Sequence, residues 1–136
     1  MKRTKAPRSI AKSARYVYPT LSDGVTLQTA DGDWELGGMT VLVQPDGIDK
    51  EFQITAIVIE QCNRPNKTHE IVLYAGENEV EIARRRFVVN AIAAGVVPVD
   101  IDTRFLPADT QVSARLAVQG SGEKVVVISL QCDKRE

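Results

Sequence analysis

The sequence predicts an all-β domain: a two-sheet antiparallel β-sandwich, with a jelly roll among the strand orders it allows, preceded by an extended N-terminal arm. Three observations predict it. From Gly24 onward, short β-compatible runs alternate with turn residues at spacings of roughly 8 to 12 positions, the rhythm of a sandwich or barrel. No long segment repeats apolar residues at the helical period. At 136 residues, the chain has the size at which one domain buries a core without disulfide or metal staples.

The arm, residues 1–20, comes first. It contains Pro7 and Pro19, and its cations Lys2, Arg3, Lys5, Arg8, Lys12 and Arg15 all precede the first acidic residue, Asp23. A short helix over residues 10–15 is compatible with its pattern. Six of the 17 basic residues lie here, so the body, residues 21–136, holds 11 basic against 18 acidic residues and is near −7. Fixing such an arm costs conformational entropy, so its order is expected to come from a partner, and six cations favour an acidic one. A mitochondrial transit peptide is the bland alternative for a basic, acid-free start. The apolar stretch of a secretory signal is missing from these residues, so cytoplasmic synthesis is expected.

Eight strands follow, over residues 25–29, 34–44, 51–62, 68–75, 79–90, 97–101, 110–119 and 124–132. The turns between them carry Asp31-Gly32-Asp33, Pro45-Asp46-Gly47, Gly76-Glu77-Asn78 and Gly120-Ser121-Gly122-Glu123, residues that tolerate unusual backbone angles. Hairpins are predicted at the first, third and fourth. Residues 63–67 form a polar loop, since Pro65 cannot join a central ladder. In the seventh strand Val112, Ala114, Leu116 and Val118 alternate with Gln111, Ser113, Arg115, Ala117 and Gln119, which predicts one wet face. Residues 56–59 and 125–128 are apolar on both faces and are expected centrally or under a second layer, which a partner subunit could supply. Residues 91–95 suit a helical turn or a small-residue loop. No run reaches the roughly 18 apolar residues of a membrane span.

Candidate chemistry is sparse. His69, the one histidine, sits among polar neighbours and is expected at the surface rather than in a triad. Cys62 and Cys132 lack metal or redox spacing and are expected to be reduced. Asp100 with Asp102, and Asp31 with Asp33, could share a strand face and hold a cation, but neither pair has the further oxygen ligands of a calcium loop. Arg84-Arg85-Arg86 lies within a strand, with Arg84 and Arg86 on one face. It suits either an edge kept from pairing by charge or a salt-bridging surface for an acidic partner, with Glu77, Glu79 and Glu81 as local competitors. The low aromatic content, 5%, disfavours base-stacking platforms, and an acidic body lacks the basic face of a nucleic-acid-binding domain. No cofactor is expected.

The phrase Glu70-Ile71-Val72-Leu73-Tyr74-Ala75-Gly76, followed by Glu81-Ile82-Ala83-Arg84-Arg85-Arg86-Phe87, Leu106-Pro107-Ala108-Asp109-Thr110 and Val112-Ser113-Ala114-Arg115-Leu116-Ala117, resembles small virion proteins of tailed bacteriophages over residues 54–130. The resemblance implies a β-sandwich used for capsid decoration, capsid cementing or a tail accessory, and transfers no functional residue. The expectation is therefore a non-enzymatic protein of the capsid surface that binds and stabilises the major capsid protein lattice. Lys2, Arg3, Lys5, Arg8, Lys12, Arg15, Arg84 and Arg86 would make the contacts, with a trimer or dimer around a symmetry axis. The alternatives are a carbohydrate-binding sandwich stacking sugars on Trp34, Tyr74 and Phe105, and a sandwich hydrolase using Asp100 or Asp102.

Overall fold

The two runs that are apolar on both faces lie on neighbouring central strands of one sheet, offset so that they meet at Ile59 and Ile128. The computed structural model describes residues 13–20, 23–63, 66–89 and 97–135, with only the backbone of Ser13 and Ala14. Its strands are β1 (Ser13–Tyr18), β2 (Val25–Gln28), β3 (Thr40–Val43), β4 (Phe52–Cys62), β5 (Thr68–Ala75), β6 (Val80–Val88), β7 (Val97–Asp100), β8 (Val112–Val118) and β9 (Val125–Arg135). β4 and β9 pair antiparallel over almost their whole length. β7 lies outside β4, while β1 and β2 follow one another along the free edge of β9.

The second sheet has the order β3-β8-β5-β6, again antiparallel throughout. Apart from the β1–β2 and β5–β6 steps, each successive strand changes sheet. This is the order of a jelly roll whose first strand is split in two, and it settles the sandwich as an all-β fold.

That order corrects two of the three predicted hairpins. Gly76, with φ of 79°, turns β5 directly into its neighbour β6, and its amide donates to the Gln111 carbonyl at 2.8 Å. The turns at residues 31–33 and 120–123 instead carry the chain from one sheet to the other. Turn-forming residues reverse a chain equally well within a sheet or across the sandwich, so composition could not separate the cases.

The core lies between the sheets. Ile57, Ile59, Ile128 and Leu130 from one side and Ile71, Leu73 and Val112 from the other are fully buried. Each such side chain contributes about 1.5–3 kcal/mol relative to an exposed position. In β4 the register shifts between Ile54 and Ala56 and again between Ile59 and Gln61. These two bulges bring Ile54, Ile57, Ile59 and Cys62 to the core at spacings of three, two and three, so strict alternation is lost in the sequence. At the first bulge the Ile54 amide donates to Thr103 Oγ1 at 3.1 Å.

Other elements differ from expectation for local reasons. Residues 13–18 are strand, where a helix over 10–15 was compatible with the sequence; residues 10–12 lie outside the described part, as do 91–95. The predicted strand 34–44 is regular only over β3, because Trp34 takes a left-handed φ of 59°. Residues 34–37 still bond to β8, with the Trp34 amide on the Val118 carbonyl and the Gly37 amide on that of Leu116, both at 2.9 Å. Glycine is required at 37, since a Cβ there would stand 1.9 Å from the Gln28 carbonyl oxygen. The supposed wet face of β8 is largely covered: Ser113 and Ala117 are buried, and the Arg115 guanidinium folds back to donate to the Gly37 carbonyl at 2.8 Å.

Candidate functional site

The densest group of charged side chains lies on the outer face of the second sheet, at its β6 edge. Register explains the grouping: Val72 stands opposite Arg84, Glu70 opposite Arg86, and Tyr74 opposite Glu81. Leu73 pairs with Ala83 and Tyr74 with Glu81, so Ile82 is an extra, bulged residue. This bulge returns Glu81 to the face that carries Arg84 and Arg86. Arg84 donates to Glu81 at 2.9 Å and to Glu70 at 3.3 Å. Arg86 lies 3.5 Å from Glu70, and its guanidinium sits over the Trp34 ring at 4.2 Å. The Arg84 hydrogen bond is the main reason the Glu81 carboxyl is held below the usual carboxylate range.

The carboxylates that engage Arg84 and Arg86 are therefore in the same chain. Glu81 was foreseen as a competitor; Glu77 and Glu79 make no such pair among the described residues, and Glu70 does. Glu70 was missed because only the β5–β6 register reveals it. Both arginines stay substantially open, with side-chain exposures of 44% and 61%, and exposed pairs of this kind contribute little to stability. Arg85, the residue between them, points to the core side opposite Ile71 yet remains exposed at the rim.

Of the arm cations, Lys2, Arg3, Lys5, Arg8 and Lys12 lie outside the described residues. Arg15 is on β1, opposite Asp133 of β9, and its Nε donates to that carboxylate at 3.1 Å. Tyr16 and Tyr18 of the same strand pack against the core. The Tyr16 hydroxyl is buried without a hydrogen-bond partner, and burial, with Cys132 nearby, pushes its ionisation well above the usual range. The last residues of the sequence-defined arm thus belong to the sandwich's first sheet.

His69 is the clearest correction among single residues. It was expected at the surface and is fully buried, stacked on Phe87 with ring centroids 5.4 Å apart. Polar neighbours in sequence misled here, because alternate strand residues face opposite ways. Its Nδ1–H donates to the Lys67 carbonyl at 2.9 Å, while Nε2 is buried with no partner. Burial chiefly, and the charge of Lys124 secondarily, lower its pKa below the ordinary 6.5 against the raising effect of the Lys67 bond.

The remaining candidates do not converge. Cys62 and Cys132 are free, and the antiparallel register places them at opposite ends of the β4–β9 pair, opposite Val126 and Ile54. Burial pushes the Cys132 thiol up to about 12. Asp100 and Asp102 are exposed along the β7 edge, and Asp31 and Asp33 are exposed in the loop after β2; Asp33 Oδ1 accepts the Gly120 amide at 2.6 Å. Among the described residues no three His, Cys, Asp or Glu side chains could hold a metal ion. Tyr74 belongs to the second sheet and Trp34 lies alongside it, bonded to β8, but Phe105 lies beneath Arg135 at 3.9 Å. A shallow cleft of about 340 Å³ at one end of β4 and β9 is lined by Glu60, Gln61, Cys62, Asn63, Val125 and Val127. Its Glu60 accepts from Ser129 Oγ at 2.7 Å.

No protein-family model and no curated protein matches the sequence.

Proposed function

We propose that this chain is a non-enzymatic structural protein of a virus particle, which binds the major capsid protein lattice and stabilises it from outside. The observation that carries the proposal is the jelly-roll order of the two sheets, an architecture used repeatedly in viral capsid domains. The phage-like strand phrase adds to it. A basic segment ahead of β1 supplies a second point of attachment, and two linked contacts bind more tightly than either by itself.

Jelly rolls also serve as lectins, so sugar binding is the rival. It is the weaker reading because two of the three candidate rings are already engaged: Arg86 lies over Trp34 and Arg135 over Phe105.

The experiment compares the full chain with residues 13–136 in co-sedimentation with purified virus particles. The cut falls at residue 12 because removing residues 1–20 would also remove β1 and its half-buried tyrosines, Tyr16 and Tyr18. The shortened chain is expected to fold and to lose most of its particle binding. Equal binding by the two chains would rule out the arm as an attachment, and binding by neither would rule out the capsid role.

A further inference from the structure

Among the described strands, the sandwich has four edges, and one stands out. In the first sheet, one edge is divided between the short strands β1 and β2, and β7 is four residues long and contains Pro98. In the second sheet, β3 also has four residues. β6 has nine, with no proline, and its outer side is unpaired. It also carries the exposed large apolar residues Val80 and Val88, at 58% and 46%. A long edge with exposed apolar side chains is a template for another strand.

The charges on β6 say which strand fits. Its beginning is acidic, with Glu81 and, in the turn just before it, Glu77 and Glu79, and its end is basic, with Arg84, Arg85 and Arg86. A parallel copy would set like charges against like. An antiparallel copy sets the acidic end of each against the basic end of the other, and opposite charges across strands are favourable where like charges are not.

We propose that β6 pairs antiparallel with β6 of a second copy, about a two-fold axis at Arg84. The four-stranded sheets then join into one of eight strands. The residues facing outward on β6 are Glu81, Arg84, Arg86 and Val88, and those facing the core side are Val80, Ala83, Arg85 and Phe87, with Ile82 bulged between Glu81 and Ala83. With the axis at Arg84, Glu81 falls opposite Arg86 of the other copy on the outer face. On the core side, Val80 falls opposite Phe87 and Ala83 opposite Arg85. The one like-charged meeting is Arg84 with Arg84, and each of these is already held by its own Glu70 and Glu81. Such a contact is isologous, each surface being its own complement. It goes beyond the capsid proposal and does not depend on it, since it is a property of the isolated protein.

The test is a charge swap read by sedimentation equilibrium on the full chain. The wild type is expected to be dimeric. Glu81→Arg sets Arg against Arg86, and Arg86→Glu sets Glu against Glu81, so each variant should self-associate roughly tenfold more weakly or worse. Mixed in equal amounts, the two should recover a heterodimer, because each then meets its opposite. A wild type that stays monomeric at its highest soluble concentration overturns the proposal, as does a dimer that neither substitution weakens. Should either variant misfold, amide exchange on the wild type decides instead. Protection of β6 amides must rise with protein concentration, and concentration-independent exchange there overturns the pairing.

Discussion

β4 and β6 are strands of comparable length, 11 and nine residues, in opposite circumstances. β4 lies between β9 and β7, with Ile57 and Ile59 sealed in the core and even its outward Val58 only 4% exposed. Among the described strands β6 has a neighbour on one side only, and it carries three consecutive arginines. The difference teaches where this molecule keeps stability and where it keeps specificity. Burial scales with the apolar area removed from water, so the central strands hold the fold together. Exposed charge adds little to stability but discriminates sharply between partners.

The comparison can be broken first at the centre. Truncating Ile57 to Ala is expected to cost about 2–5 kcal/mol of unfolding free energy, the range for large-to-small core changes that leave a cavity, measured by chemical denaturation. A loss below about 1 kcal/mol would mean that β4 is not the packed centre of the fold.

A smaller effect sits between the two regions, at His69, which joins β5 to β6 by its stack on Phe87. The neutral ring is favoured in the folded chain, so folded and unfolded states bind the same number of protons only well above pH 6.5. As the pH falls below 6.5, the unfolded chain takes up a proton before the folded chain does. Stability should then decline, by at most about 1.4 kcal/mol per pH unit, until the lowered folded pKa is reached. His69→Phe should flatten this part of the stability profile between pH 7 and pH 5. An unchanged slope would place the titrating group elsewhere.

The smallest effect is expected at the edge. Arg84→Ala removes contacts to Glu70 and Glu81 and should change unfolding free energy by no more than about 1 kcal/mol, while weakening any contact made through the β6 face. A loss as large as that for Ile57→Ala would show that the edge cluster holds the fold, and the division of labour would fail.

Much of this was legible in the sequence because period-two alternation and turn residues follow from local geometry. Val112, Ala114, Leu116 and Val118 announced the core face of β8, and the residues of the β4 and β9 runs announced their central place. What escaped depends on long-range register. Glu70 reaches Arg84 and Arg86 only because β5 and β6 pair in one alignment, and the bulge at Ile82 is needed to turn Glu81 the same way. His69 escaped because burial is decided by which face of β5 meets the core rather than by the polarity of its neighbours. Arg15 lay within a stretch read as arm, and its place opposite Asp133 follows from the last strand, 118 residues away.

The surface of this sandwich, together with the basic segment before it, is proposed to serve an assembled particle. The most direct measurement is the copy number of the protein in purified virus particles, by quantitative mass spectrometry against the major capsid protein. Copies in a fixed ratio to the capsid lattice are predicted. Absence from the particle, or only a few copies in each, would contradict a lattice-binding role.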